Sequence, residues 1–351
     1  MATPSAALER DADVLDRALA WLDEGHRVAI ATVVKTWGSS PRPRGSQLVV
    51  RADGLFFGSV SGGCVEGKVV EAAQAAMQDR QSQLLEFGVS NAEAWEVGLA
   101  CGGTVCIHVA PVASGELPGS IGRAPLEASR RARVEKRAIV MLTPLDGSTA
   151  ATWAPGDPPL EPALAEAAQR SLATDDAQAV ETAGGRVFVQ AFNPPLRLVI
   201  VGAVHIAEPL ARMGALLGYA VVMIDPREGF ARPERWPGLK VATDWPDEAL
   251  ATLAVDHRTA IVALTHDPKI DDPALESALR SDAFYIGALG SKKTHAARAQ
   301  RLAEQGFTPA QIARIHGPIG LRIGARSPAE IAVSIVAQLT ERLRSGGAKT
   351  E

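Results

Sequence analysis

Two of the chain's three cysteines sit among glycines. Cys64 lies in Ser59-Val60-Ser61-Gly62-Gly63-Cys64-Val65-Glu66-Gly67-Lys68, and Cys101 in Gly98-Leu99-Ala100-Cys101-Gly102-Gly103-Thr104. Glycines let the backbone approach a guest closely and adopt φ > 0. Val65, Val69, Val70, Ala73 and Met77 recur at helical spacing, which predicts a helix from Cys64 to Gln81. Its first turn would favour the Cys64 thiolate, giving a reactive or ligating sulfur. Cys101 precedes the apolar run Val105-Cys106-Ile107-His108-Val109, and two thiols in glycine settings predict one shared task. Cys106 reads as a small buried hydrophobe. A zinc site of Cys64, Cys101, Cys106 and His108 is the alternative, although no C-x-x-C pair supports it.

Three further stretches have the make-up of anion cradles. In Gly38-Ser39-Ser40-Pro41-Arg42-Pro43-Arg44-Gly45, Arg42 and Arg44 either hold a phosphate or carboxylate through bidentate bonds or are solvated loop charges. In Gly287-Ala288-Leu289-Gly290-Ser291-Lys292-Lys293-Thr294, a glycine turn after a strand opens a helix, where N–H groups and Lys292 would face an anionic ligand. It lacks the spacing of a Walker A loop. In Gly202-Ala203-Val204-His205-Ile206-Ala207, a turn between strand and helix is followed by a second strand ending at Asp225, which is the order of a Rossmann unit. Val204 occupies the middle glycine slot of the dinucleotide fingerprint, so a nicotinamide cofactor in its usual pose is not expected. His205 would either bond a phosphate or cap the helix. Ser327-Pro328-Ala329-Glu330 reads as a structural capping box.

The elements that must position these residues divide at Asn193-Pro194-Pro195. Before it, a helix over residues 8–24 ends at Gly25, and strands are predicted at 27–34, 47–51, 55–57, 84–87, 104–109, 137–142 and 186–192. A helix is predicted at 161–173, and the Gly, Pro, Ala and Ser content of 118–129 predicts an excursion or linker. After the joint, strands at 196–201, 219–224, 260–264 and 283–286, apolar apart from Arg197 in the first, alternate with helices starting near Ile206, Pro246, Pro273 and Ser291. The fold class is α/β: a mixed α+β N-terminal domain over 1–193, a Rossmann-like doubly wound parallel sheet over 194–345, and a frayed tail at 346–351.

At 351 residues the chain accommodates two domains with cores of their own. With 46% hydrophobic and 22% charged residues and a net charge of −4, nothing points to nucleic acid or a membrane surface as partner. Three cysteines argue against a disulfide framework and for the cytoplasm. Acidic residues stand near the N-terminus where a signal peptide would be apolar, and no long uncharged apolar run occurs.

These blocks, in this order, resemble the XdhC/CoxI family of xanthine dehydrogenase accessory factors. The resemblance rests on Gly38-Ser39-Ser40-Pro41-Arg42, Ser61-Gly62-Gly63-Cys64-Val65-Glu66 and Cys101-Gly102-Gly103 in the first half. In the second half it rests on Gly202 to Ala207, Asp225-Pro226-Arg227, Gly287 to Thr294, Pro318 to Ala325 and Pro328-Ala329-Glu330-Ile331-Ala332. It implies a chaperone without turnover of its own. Such a protein binds the molybdenum cofactor, as molybdopterin or its cytosine dinucleotide form, supports its sulfuration with a cysteine desulfurase and inserts it into an apo-molybdenum hydroxylase. A homodimer is expected. Carried over to this chain, Cys64 and Cys101 face the metal. Gly38, Ser39, Arg42, Gly62, Gly63, Glu66, Gly102, Gly103, Gly202, His205, Asp225, Gly290, Ser291 and Lys292 hold the rest, in a site between the domains. Val204 and Arg322 depart from the family's glycine and acidic residue. The competing readings are an NAD(P)-dependent oxidoreductase and a thiol redox or zinc protein.

Overall fold

The computed structural model describes residues 11–38, 40, 42–88, 103–113, 118–239 and 241–345. The chain separates into two compact units, Met1–Pro194 and Pro195–Glu351. Each builds its own sheets.

Unit 1 contains two sheets. The first runs β3 (Phe56–Gly58), β2 (Gln47–Arg51), β1 (Val28–Trp37), β5 (Thr104–Ala113), β4 (Gln83–Phe87), with the short β6 (Ile121–Gly122) beside β5. Its five principal strands pair antiparallel. Because successive side chains alternate faces, Ala29, Ala31 and Val33 of β1 pack with Val69, Ala73 and Met77 of helix α2 (Glu66–Asp79). Val28 and Ile30 point the other way, onto Leu15 and Leu19 of helix α1 (Asp11–Asp23). The second sheet, of antiparallel pairs, runs β8 (Ala151–Trp153), β7 (Ile139–Pro144), β10 (Gly185–Phe192), β9 (Gln178–Thr182). Helix α4 (Pro162–Thr174) packs Ala167 and Ala168 against Val140 and Val189 of it.

Residues 118–129, expected as an excursion, enter β6 and helix α3 (Arg123–Val134). Composition misled here for a local reason. Pro125 falls in the first turn, where its missing N–H costs nothing, and Leu126, Ser129 and Ala132 form a buried face.

Unit 2 is a single sheet of parallel pairs in the order β13 (Val241–Ala242), β12 (Ala220–Ile224), β11 (Arg197–Val201), β14 (Thr259–Ala263), β15 (Tyr285–Ala288), β16 (Ile315–His316). Numbered within the unit this is 3-2-1-4-5-6, the doubly wound order whose switch point lies between β11 and β14. Its helices are α5 (Ala207–Leu216), α6 (Glu228–Ala231), α7 (Pro246–Leu253), α8 (Pro268–Leu279), α9 (Lys292–Glu304), α10 (Pro309–Ile312) and α11 (Pro328–Ser345). Leu210 of α5 and Ala332, Ile335 and Leu339 of α11 join the core on one face of the sheet. Leu250 of α7, Leu275 of α8 and Leu302 of α9 join the core on the other. Helix α8 starts at Pro268, not at Pro273: the Asp267 side chain accepts the Lys269 N–H at 3.0 Å and caps it, leaving Pro273 inside. The capping box at α11 forms, with Ser327 Oγ accepting from Glu330 N and Glu330 accepting from Ser327 N. Among the described residues no helix is long and apolar enough to cross a membrane.

Candidate functional site

The Cys64 loop is a frame wound around one carboxylate. Glu66, the first residue of α2, turns its side chain back into the loop and is only 7% exposed. Its Oε1 accepts from Ser59 Oγ (2.9 Å), Val60 N (3.2 Å) and Ser61 N (2.9 Å). Its Oε2 accepts from Gly63 N (2.9 Å) and from the Ser61 hydroxyl. The serines complete the network: Ser59 Oγ accepts from Gly62 N and Ser61 Oγ from Val65 N. Such wrapping needs left-handed backbone at Gly62 (φ 78°) and Gly63 (φ 116°). Burial raises the carboxyl pKa, but the hydrogen bonds, foremost from Ser61, outweigh it and hold it at about 2. Glu66 is thus occupied by its own loop rather than open to a ligand.

Cys64 sits at the exposed tip of this frame. The helix begins two residues later than its apolar periodicity suggested, because Val65 is the N-cap and Glu66 is drawn backward. The thiol is therefore presented on a rigid loop ahead of the helix. Arg42 buttresses the loop, its Nε donating to Ser59 O at 3.2 Å. Arg44 goes elsewhere, donating to Asp176 at 2.7 Å, so the two arginines do not converge on one anion. Gly38 has φ 70° at the end of β1. Gly103 is half-buried at the start of β5. Ser39, Cys101 and Gly102 lie outside the described residues. Of the zinc alternative, Cys106 and His108 are buried on one face of β5 while Cys64 is exposed, and no group of three or more His, Cys, Asp or Glu suited to a metal occurs among the described residues. Burial alone pushes His108 down to about 4.

In unit 2 the glycine turns stand at the carboxyl ends of the strands, where ligands bind in open α/β sheets. Gly202 has φ 108°, and a Cβ there would lie 2.5 Å from Thr265 Cγ2. We expect Gly202→Ala to cost about 2–4 kcal/mol from backbone strain and overpacking together, read as a lower urea midpoint. Val204 is half-buried and His205 exposed at the turn. Gly290 has φ 143°, Ser291 caps α9 by accepting from Thr294 N at 3.1 Å, and Lys292 is exposed beside it.

Asp225 does not face a ligand. It is fully buried; Oδ1 accepts from Arg227 N (3.0 Å) and Nε (2.8 Å), and Oδ2 from Arg227 Nη2 (2.7 Å) and Ala203 N (2.8 Å). Burial raises its pKa, and the Arg227 bonds overcome that and keep it below the ordinary carboxylate range. Arg227 in turn stacks on Phe230, 3.9 Å from the ring centroid. A second buried acid, Asp271, ties the switch-point loop: it accepts from Thr265 N (3.3 Å), Thr265 Oγ1 (2.6 Å) and His266 N (3.1 Å), with Arg298 Nη2 at 3.5 Å. Arg298, 2% exposed, also donates to Leu289 O at 3.1 Å. None of Arg227, Asp271 and Arg298 is expected at the site from sequence. Arg227 carries a signal there, as a basic residue one proline beyond the strand-end acid; the other two carry none.

Comparison with known proteins matches this architecture half by half. A family model described as the XdhC Rossmann domain matches residues 198–339, and one described as the XdhC and CoxI family matches residues 21–88. The chain is 26% identical to a probable xanthine dehydrogenase subunit of Bacillus subtilis, over 92% of this chain and 95% of that one. It is 28% identical to the molybdenum cofactor insertion chaperone PaoD of Escherichia coli, over 93% and 86%. A crystal structure described as a xanthine dehydrogenase from Bacillus halodurans superposes with a TM-score of 0.73 over 96% of both chains at 24% identity, a likeness of fold. With both models matched in the expected order and relatives aligned along nearly the full length, the chain belongs to the XdhC and CoxI family.

Proposed function

We propose that this chain is an accessory chaperone that binds the molybdenum cofactor, supports its sulfuration and inserts it into an apo-molybdenum hydroxylase of the xanthine dehydrogenase type. The observation that carries this reading is the exposed Cys64 on a glycine loop braced by Glu66. A soft sulfur donor on a fixed frame suits a molybdenum centre, which favours thiolate ligands. Cys101 is the second thiol of the proposal. The helix N-terminus at Ser291 and Lys292 suits the phosphate or pyrophosphate of the pterin. The cargo is molybdopterin or its cytosine dinucleotide. The partners are a cysteine desulfurase and the apo-hydroxylase, met in the cytoplasm by a homodimer. An NAD(P)-dependent oxidoreductase is the less favoured reading. Asp225 has no oxygen left for a ribose hydroxyl, and Val204 fills the slot where a pyrophosphate approaches.

The test uses protein purified anaerobically from a molybdenum-replete host. Cys64→Ala should activate an apo-hydroxylase at least tenfold less well than the unaltered chain, with an unchanged urea midpoint because the side chain is exposed. Pterin released from the protein and read by fluorescence should fall with it. Undiminished pterin content and activation in both Cys64→Ala and Cys101→Ala would overturn the thiol role. A saturable thermal stabilisation by micromolar NAD(H) or NADP(H) would favour the oxidoreductase instead.

A further inference from the structure

In dinucleotide-binding folds the acid just beyond the second strand of the first βαβ unit reads a ribose. Asp225 holds that place, directly after β12, and its partners come from its own chain. Arg227 forks it, Nε donating to Oδ1 at 2.8 Å and Nη2 to Oδ2 at 2.7 Å, beside the backbone N–H groups of Arg227 and Ala203. Two donors set side by side on two oxygens are what the vicinal hydroxyls of a ribose would offer the same carboxylate. The same guanidinium lies over Phe230, 3.9 Å from the ring centroid, where a nucleobase would stack. One side chain thus makes both contacts that a nucleoside would make.

A second observation is the order of exposure. Asp225 has no exposed surface, whereas the Arg227 side chain is 32% exposed and Phe230 is 37% exposed. The guanidinium therefore lies between the acid and solvent. Phe230 is anchored independently through its main chain, its O accepting from Trp236 Nε1 at 2.7 Å and Arg235 Nη1 at 3.2 Å. Tethered two residues from the acid, Arg227 competes at an effective concentration on the order of millimolar or above. It also brings a full charge to the carboxylate, where a ribose brings neutral hydroxyls.

We propose that Arg227 is the specificity-determining residue of unit 2: it stands in for a nucleoside and so keeps nucleosides and dinucleotides out of the crevice beyond β12. The proposal does not depend on the cofactor reading and holds for whatever cargo the chain carries.

Calorimetric titration of the full chain with adenosine tests it, a probe without phosphate, so that Val204 does not decide the outcome. The unaltered chain should give no saturable heat over the millimolar range. Arg227→Ala should bind adenosine saturably, at least tenfold more tightly than 2′-deoxyadenosine, which lacks one donor for Asp225. Adding Phe230→Leu to Arg227→Ala should weaken adenosine at least tenfold. Removing the arginine leaves Asp225 without its counter-charge. Should Arg227→Ala fold only with ethylguanidine, the severed end of the side chain, adenosine in its place should restore the cooperative urea transition. Five results would each overturn the assignment: adenosine binding by the unaltered chain within tenfold of that by Arg227→Ala, no saturable binding by folded Arg227→Ala, equal affinity for the two nucleosides, indifference to Phe230→Leu, or failure of adenosine to replace ethylguanidine.

Discussion

Glu66→Ala should lower the unfolding free energy by about 3–5 kcal/mol. The substitution orphans two buried N–H groups, Val60 and Ser61, at about 1–3 kcal/mol apiece, and releases Gly63 N and two serine hydroxyls as well. Glu66→Gln should lie between, since an amide offers one acceptor oxygen and turns an N–H toward donors. The carboxyl is depressed from 4.5 to about 2 in the folded chain. Its contribution is therefore complete above about pH 4.5 and is lost as pH falls toward 2. The gap between wild type and Glu66→Gln in urea titrations should be constant from pH 6 to 8 and narrow below 4.5. Under the proposed function, the same variants should also lose hydroxylase activation although Cys64 is intact, because its frame is gone. A loss of stability below 1 kcal/mol would show that the loop holds its shape without the carboxylate.

Asp271→Ala is expected to be comparably damaging in unit 2, again about 3–5 kcal/mol, because it leaves the Arg298 cation buried without its counter-charge. It also strips Thr265 N and His266 N of their acceptor. Arg298→Met should cost far less, about 1–2 kcal/mol. Burial pushes Asp271 up and Arg298 down, each toward its neutral form, so desolvation outweighs their mutual attraction at 3.5 Å. Arg298 Nε and Nη1 are moreover buried without partners among the described residues, and a methionine removes that penalty along with the charge. Urea denaturation of both variants checks the ordering; equal losses would mean that the ion pair itself, and not the loop bonds to Asp271, holds the switch point.

Unit 2 was legible because its pattern is local. Leu198 to Val201, Val221 to Ile224 and Ala260 to Ala263 are short apolar runs separated by helical periodicity, and such alternation permits little besides a parallel sheet covered on both faces. The strands of two residues, β13 and β16, are too short to leave a periodic trace. In unit 1 the long strands were equally plain, whereas β8, β9 and α3 were not, since Gly, Pro and Ser marked their surroundings as turns.

The site was legible in composition but not in direction. Gly62, Gly63 and Cys64 announced a special loop. That Glu66 faces inward depends on two left-handed glycines curling five donors onto it, a three-dimensional outcome that spacing does not encode. Arg42 and Arg44 look like a matched pair in sequence. The turn at Gly45, φ 86°, helps send them to different partners. Asp225 stands where a ribose-reading acid belongs, and only the fold reveals that Arg227 has closed over it.

The prolines at 194 and 195 fall between β10 and β11, and every described β ladder joins strands from the same side of them. A gene split at that codon boundary would sever no pairing and strand no edge that is covered in the intact polypeptide's own sheets. Evolution is thus free to encode the two halves apart, to shuffle either one, or to fuse them anew, at little thermodynamic cost to the backbone of each.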